Sequence, residues 1–237
     1  MGRKARPRGR IFAQEMTVVD KNTERKKASH SSASFSKRSS HRNLPLTVFT
    51  VGHSTRPVDD FISLLNAHGI RQLADVRTIP RSRHNPQFGQ DQLSLTLERA
   101  GIHYMHMPGL GGLRHAHRDS LNTAWRNASF RGYADYMQTR PFADALEELI
   151  GLARKSPTAI MCAEAVPWRC HRSLIADALL VRGIDAEEIV SATRIQPHKL
   201  TPWAHVSGKT ITYPGTESTA KQDEPAPAHT RSFSKRG

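Results

Sequence analysis

Cysteine is scarce in this sequence, which holds Cys162 and Cys170 in 237 residues. Two cysteines do not make the disulfide framework that stabilises small secreted domains. No window approaches the roughly 18 apolar residues that a membrane span requires, and no apolar segment near the start has the character of a secretory signal. These absences argue against a membrane or secreted protein, and we expect a cytoplasmic protein without a membrane partner.

Acidic side chains are scarce in residues 1–45, where twelve Lys and Arg stand against three Asp and Glu. Large apolar side chains are few there as well, so burial cannot offset the entropy of ordering the chain. We therefore expect a disordered basic tail at 1–45 and a second disordered tail at 214–237. The basic tail suits phosphate backbones or anionic lipids. The alternatives are a solvated tail without a partner, or a start codon assigned ahead of the true start at Met16.

Short apolar runs alternate with amphipathic segments between residues 46 and 213. This alternation predicts parallel strands joined by right-handed crossovers. We expect a single α/β domain, a three-layer sandwich of Rossmann-like or flavodoxin-like type with a mostly parallel sheet of about five strands. The predicted strands are 46–51, 71–76, 102–107, 158–163 and 187–192, and the predicted helices are 57–68, 90–100, 132–155 with a break at Pro141, and 170–182.

Polar residues follow four of the predicted strands. Because the carboxyl ends of parallel strands meet at one edge, where such sheets bind ligands, these residues are candidates for a shared site. Gly52, before the first pair, indicates that another part of the chain approaches the backbone closely. The candidates are His53 and Ser54, then Asp75 and Arg77, then Gly111 and Gly112, and finally Cys162 and Glu164.

Basic residues surround the predicted helix that starts at Cys170, namely Arg169, His171 and Arg172. A helix N-terminus carries unpaired N–H groups and a partial positive charge, so cations are unfavourable there. Either a bound anion such as phosphate compensates them, or Glu164 and Asp75 neutralise the arginines within the protein; both can hold together.

The cysteines allow four interpretations. A thiol beside cations at a helix start is expected to have a lowered pKa and to act as a nucleophile. Cys162 and Cys170 could instead form a reversible disulfide, or bind a metal ion with His171 and His53, although the spacing matches no standard zinc pattern. Cys162 could also be a small apolar residue that ends a buried strand. His171 and His53 each suit acid–base chemistry or a structural contact.

Two loops carry further candidates. The arginine-rich segment at 75–89, "DVRTIPRSRHNPQFG", could hold phosphates through Arg77 and stack a base on Phe88, or form a charged surface loop with one Asp–Arg pair. The glycine-rich segment at 109–118, "GLGGLRHAHR", suits a lid or a phosphate-facing loop. It is not a G-x-G-x-x-G motif directly after the first predicted strand, so we do not interpret it as a dinucleotide-binding fingerprint.

Several of these segments together resemble a known family, the prokaryotic domain of unknown function DUF488, over roughly residues 46–205. They are "TVGHSTR", "DVRTIPRSRHNPQF", "GIHYMHMPGLGG", "FRGYADYMQTRPF" and "MCAEAVPWRCHRSLIADAL". The resemblance implies a three-layer α/β domain and no settled activity. The sequence departs from the family at Ser191, near which relatives carry a histidine. The nearest histidine in this sequence is His198. The motif residues it carries over are His53, Ser54, Asp75, Arg77, Gly111, Gly112, Cys162, Glu164, Cys170, His171 and Arg172.

Three functional hypotheses follow. The first is an enzyme acting on a phosphate-bearing substrate, a nucleotide or nucleic acid, with Arg77 and Arg172 holding the anion and Glu164 or His171 as acid or base. The second is a non-catalytic module that binds nucleic acid, aided by the basic tail. The third is a thiol redox protein that uses Cys162 and Cys170. The residues identify no cofactor and no oligomeric state.

Overall fold

The computed structural model describes residues 45–81 and 83–215. The predicted tails at 1–45 and 214–237 therefore lie almost entirely outside the described residues. The elements are β1 Thr47–Gly52, α1 Val58–Ala67, β2 Gln72–Asp75, α2 Gln90–Arg99, β3 His103–His106, α3 Ala128–Tyr136, α4 Arg140–Ala153, β4 Thr158–Cys162, α5 Arg172–Leu180, β5 Asp185–Ser191, β6 Arg194–Pro197, β7 His205–Ser207 and β8 Thr210–Thr212.

The main sheet has six strands in the order β3-β2-β4-β1-β5-β6. The first five pair in parallel, and β6 runs antiparallel to β5. The predicted mostly parallel α/β fold is confirmed, with one more strand than expected. Sequence periodicity missed β6 because all its residues are exposed, so no apolar alternation marks it.

Two apolar cores lie on opposite faces of this sheet. Alternate residues of each strand point to opposite faces, so Val48 and Ile160 pack with α3, α4 and α5, whereas Val51 and Met161 pack with α1 and α2. This arrangement is the predicted helix–sheet–helix sandwich. Because Pro141 stands in the first turn of α4, it separates α3 from α4 at the place where the sequence indicated a break.

The segment after β6 is tied back to α5 through a buried carboxylate. Asp177 is fully buried and accepts hydrogen bonds from His198 Nε2 (2.7 Å), the Thr201 N–H (3.0 Å) and the Tyr213 hydroxyl (2.8 Å). His198 thus has a structural partner on α5 instead of lying at the end of β5. Among the described residues, no helix is both long and apolar enough to cross a bilayer.

Gly52 ends β1 where the β4–α5 loop passes over it. A Cβ atom at this position would stand 2.1 Å from the Glu164 carbonyl oxygen and 2.8 Å from Ala165 Cα. The close backbone approach that the sequence indicated is therefore confirmed.

We expect Gly52→Ala to lower the free energy of unfolding by about 1–3 kcal/mol, because backbone atoms must move to admit the methyl group. Gly151→Ala in α4 is the matched control, since nothing lies within 4 Å of its added Cβ. That change should raise stability by about 0.5–1 kcal/mol through helix propensity. Urea unfolding followed by circular dichroism measures both, and equal stabilities would contradict the close approach.

Candidate functional site

The β1–β4 pairing continues past the strand ends into two loops. The His53 N–H donates to the Cys162 carbonyl oxygen and the Ser54 N–H to that of Ala163, both at 3.0 Å. The chain leaves β1 toward α1 on one face of the sheet and leaves β4 toward α5 on the other. Such a divergence between neighbouring strands opens a crevice, and this is where parallel sheets bind ligands.

This crevice is a cavity of about 550 Å³, which we call the thiol cleft. It brings together most of the predicted site residues, although they come from distant parts of the sequence. Those that line it are His53, Ser54, Gly112, Cys162, Glu164, Cys170 and His171; Asp75, Arg77, Gly111 and Arg172 do not.

The two thiols and one imidazole form a compact cluster in the thiol cleft. Cys162 Sγ, Cys170 Sγ and a ring nitrogen of His171 all lie within 4.8 Å of one another. Both cysteines line the cleft as free thiols; Cys162 is partly exposed, whereas Cys170 is buried. Cys162 is therefore the more accessible of the two cysteines.

Hydrogen bonding makes the two thiols unequal. The pKa of Cys162 is lowered because the Cys170 thiol donates to its sulfur; His171 and the Glu164 backbone N–H stabilise its thiolate further, against the opposing effect of burial. The pKa of Cys170 is raised because its proton is held in the bond to Cys162 and because it is buried. These opposite shifts favour the thiolate at Cys162 over Cys170.

His171 is held so that Nδ1 faces the sulfur atoms. Its Nε2 donates to the Val76 carbonyl oxygen at 3.0 Å, and Nδ1 lies 3.8 Å from Cys170 Sγ. The ring packs on Tyr133 at 5.0 Å between centroids. On the other side Gly112 passes so close that a Cβ there would stand 3.2 Å from Nδ1. The ring can therefore exchange a proton with the thiols through Nδ1 without turning.

The guanidinium of Arg77 is hydrogen-bonded to other groups of the protein, and Arg77 does not line the cleft. It pairs with the fully buried Asp75 through Nε at 2.8 Å and through Nη2, which also donates to the Phe88 carbonyl oxygen. Its Nη1 lies 3.4 Å from His53 Nε2. The hypothesis that Arg77 holds an anion needs correction, because its donors are already engaged. The Asp–Arg pair that the sequence left as the alternative is the one observed.

His53 and Phe88 also serve this buried network. His53 Nδ1 donates to the Ser54 carbonyl oxygen at 2.8 Å, so both ring nitrogens have partners, and burial lowers the pKa of the ring. The Phe88 ring is fully buried and stacks on His53 at 4.0 Å. Stacking of a ligand base on Phe88 is therefore wrong, because no face of the ring is accessible. His53 forms part of the cleft wall without a free nitrogen.

Arg172 points away from the thiol cleft as well. Its guanidinium is fully buried, with Nη2 3.0 Å from the Glu164 carbonyl oxygen and 3.6 Å from Glu188 Oε1. Helix α5 starts at Arg172, two residues later than predicted, since Cys170 has an extended backbone. The sequence left two alternatives for the arginines, a bound anion or neutralisation by Glu164 and Asp75. The contacts of Arg172 are the Glu164 carbonyl oxygen and the side chain of Glu188, a residue that the prediction omitted.

Helix α3 supplies one wall of the cleft that sequence reasoning missed. Ser129, Phe130 and Tyr133 come from this helix, and Arg169 from the β4–α5 loop. The segment "FRGYADYMQTRPF" was among those resembling the family, but nothing in its periodicity placed it against His171. A glycine inside the helix, Gly132, was the available signal, because its Cβ would stand 2.4 Å from the Arg114 carbonyl oxygen.

The buried pair of Asp75 and Arg77 is expected to be structural. Asp75→Asn leaves the guanidinium buried without a counter-charge, so we expect a loss of about 3–5 kcal/mol in unfolding free energy. Asp144→Asn is the control, since it breaks an exposed pair with Arg140 and should change stability by less than about 1 kcal/mol. Thermal and urea unfolding compare the two, and similar losses would contradict the structural role.

Alkylation should reveal the lowered pKa of Cys162. A thiol with an ordinary pKa reacts with iodoacetamide roughly a hundredfold more slowly at pH 6 than at pH 8.5, because its thiolate is lost. Since the lowered pKa retains the thiolate at pH 6, we expect Cys162 to slow by less than about threefold, as followed by peptide mass spectrometry.

The cause of this behaviour can be tested at Cys170. Cys170→Ala removes the donor and should restore a steep pH dependence at Cys162. Cys170→Ser keeps a hydroxyl donor and should preserve the flat profile. A steep profile in the unaltered protein would contradict the assignment of the thiolate to Cys162.

Comparison with known proteins gives one family. Residues 57–179, more than half of the chain, match the family model described as "Domain of unknown function DUF488". No curated protein and no solved structure gives a significant match. The match covers the segment from β4 to α5 with Cys162, Cys170 and His171, and the cleft residues of α3, whereas His53 and Ser54 lie before it. The chain belongs to the DUF488 family.

Proposed function

We propose that this protein is a thiol–disulfide oxidoreductase that uses Cys162 as its nucleophile and Cys170 as the second cysteine. The carrying observation is the pair of free thiols in the thiol cleft, a partly exposed Cys162 and a buried Cys170, whose sulfur atoms lie within 4.8 Å of each other and of a His171 ring nitrogen. This arrangement suits an attacking thiolate beside a resolving thiol. Among the three hypotheses from the sequence, the redox one has the most support from the geometry.

The reaction exchanges one disulfide for another. The Cys162 thiolate attacks one sulfur of a substrate disulfide, a new S–S bond forms, and the other substrate sulfur leaves with the electron pair of the broken bond. The Cys170 thiol then loses its proton and its sulfur attacks Cys162, which releases the second substrate thiolate. The protein ends with a Cys162–Cys170 disulfide and the substrate gains two electrons. The two released sulfurs take up one proton from Cys170 and one from the solvent, because Cys162 starts as a thiolate.

His171 is the proton carrier in this scheme. With Nε2 donating to the Val76 carbonyl oxygen, Nδ1 accepts the proton of a neighbouring thiol and returns it to a leaving thiolate. The imidazolium formed in between also stabilises the Cys162 thiolate by charge. Arg169 in the cleft wall supports the binding of an anionic disulfide, and Ser129 adds a hydroxyl.

Binding of a phosphate-bearing ligand, small molecule or nucleic acid, stays a prediction. Arg169 lines the cleft as a cation for such a ligand, but Arg77 and Arg172 do not line the cleft. Binding of nucleic acid by the basic residues 1–45 concerns residues outside the described part of the chain. A shift in the electrophoretic mobility of labelled single-stranded DNA that weakens as the salt concentration rises would support such binding.

A metal site is the second candidate with an observation of its own. The two sulfurs and the His171 nitrogen are close enough to hold one metal ion with one coordination position left for water or substrate. The hydrogen bond from Nε2 to a carbonyl is also the usual support of a metal-bound histidine.

Trapping the mixed disulfide tests the proposal. The reduced protein is mixed with bis(2-hydroxyethyl) disulfide under argon and analysed by non-reducing peptide mapping. We expect the unaltered protein to form the Cys162–Cys170 disulfide. Cys170→Ser should accumulate the mixed disulfide at Cys162, and Cys162→Ser should react at least tenfold more slowly at Cys170, because that residue is buried, which shields its sulfur and disfavours its thiolate.

Two outcomes would overturn the proposal. Equal rates of Cys162→Ser and Cys170→Ser would remove the distinction between nucleophile and resolving thiol. About one equivalent of zinc in the purified protein, lost in Cys162→Ser, Cys170→Ser and His171→Ala alike, would establish the metal site instead.

A further inference from the structure

A second cavity, of about 510 Å³, lies between α5, the β5–β6 hairpin and the segment that precedes β7. All three tryptophans of the chain line it, namely Trp125, Trp168 and Trp203, and we call it the tryptophan cavity. Aromatic residues make up only 6% of the sequence, so this concentration at one place is notable. None of the residues proposed for thiol chemistry lines it.

The polar wall of the tryptophan cavity contains a buried arginine with unpaired donors. Arg172 is fully buried, and its Nε and Nη1 have no hydrogen-bond partner among the described residues. Buried N–H groups without a partner are unfavourable, because their lost hydration is not replaced by hydrogen bonds. A group that accepts hydrogen bonds from Arg172 would offset this cost.

A carboxylate stands next to these donors. Glu188 Oε1 lies 3.6 Å from Arg172 Nη2, and Glu188 Oε2 accepts the hydroxyl of Thr50. Because the Glu188 carboxylate largely neutralises the charge of Arg172, a strongly anionic ligand is not needed to compensate it. The polar wall offers donors and an acceptor side by side, a pattern complementary to a cyclic amide, whose C=O accepts and whose N–H donates.

The aromatic wall suits a flat ring. Trp125 and Trp203 pack edge to face at 5.4 Å. Trp168 and Trp203 line the cavity, and 74% and 48% of their surfaces are exposed. Exposed indole rings next to a concave, partly polar space are typical of sites that stack planar ligands. The cavity volume also lies in the range of small-molecule sites.

We propose that the tryptophan cavity binds a planar heteroaromatic ligand with a cyclic amide edge, a base of the guanine, hypoxanthine or uracil type. The C=O of the amide accepts from Arg172, the adjacent N–H donates to Glu188, and the ring lies against the tryptophans. This binding site is separate from the thiol cleft and does not depend on the thiol chemistry.

Inosine and adenosine make a matched pair of probes, because adenosine replaces the N1–H and C6=O edge of inosine with an acceptor and an amino group. The full-length protein is titrated with each, and binding is followed by isothermal calorimetry and by tryptophan fluorescence, whose three emitters all line the cavity. We expect saturable binding of inosine and at least tenfold weaker binding of adenosine, because the reversed edge leaves buried groups unpaired.

Two substitutions locate the binding. Glu188→Gln should weaken inosine binding about tenfold by removing the charged acceptor. Trp168→Ala changes an exposed ring and should also weaken it without unfolding the protein, as circular dichroism checks. Leu95→Ala on α2 is the control, since Leu95 is 53% exposed and does not line the cavity.

For Trp168→Ala, calorimetry decides, because removal of one tryptophan changes the fluorescence whether or not inosine binds. Equal affinity for inosine and adenosine would overturn the proposal, as would absence of inosine binding at millimolar concentration. Inosine binding that neither Glu188→Gln nor Trp168→Ala weakens would place the ligand elsewhere and overturn it too.

Discussion

The parallel pairing of β1 with β4 is the constraint on which the rest of the structure depends. It sets Gly52 opposite Cys162 and continues into the loops through the hydrogen bonds from His53 and Ser54. The chain then leaves the two strands toward opposite faces of the sheet, and the crevice between them becomes the thiol cleft. Only a glycine at position 52 allows the β4–α5 loop to lie this close.

A buried polar network supports the floor of the cleft. Asp75, Arg77, Tyr104 and His53 satisfy one another under the strand ends, with the Tyr104 hydroxyl donating to Asp75 at 2.7 Å. Burying an ion pair is costly unless its remaining donors and acceptors are matched. Here they are, so the network fixes the strand ends beside the sulfur and imidazole groups of the proposed thiol chemistry.

The two cavities share one short segment of the chain. In residues 167–173, Arg169, Cys170 and His171 face the thiol cleft, whereas Trp168 and Arg172 face the tryptophan cavity. At the turn of 3-10 helix Pro167–Arg169, Pro167 and Trp168 line the tryptophan cavity and Arg169 lines the thiol cleft. The proposed ligand and the proposed thiol chemistry therefore act on opposite faces of the same backbone.

The sequence alone determined the layered α/β fold, five of the six sheet strands and the edge at which the polar residues meet. Apolar periodicity reports which faces are buried, and parallel topology brings the strand ends together. Only the tertiary structure decided which polar groups remained accessible. Arg77 and Arg172 look like anion-binding residues in sequence, but burial pairs them with Asp75 and Glu188. Pairing and burial depend on distant residues, and no local pattern encodes them.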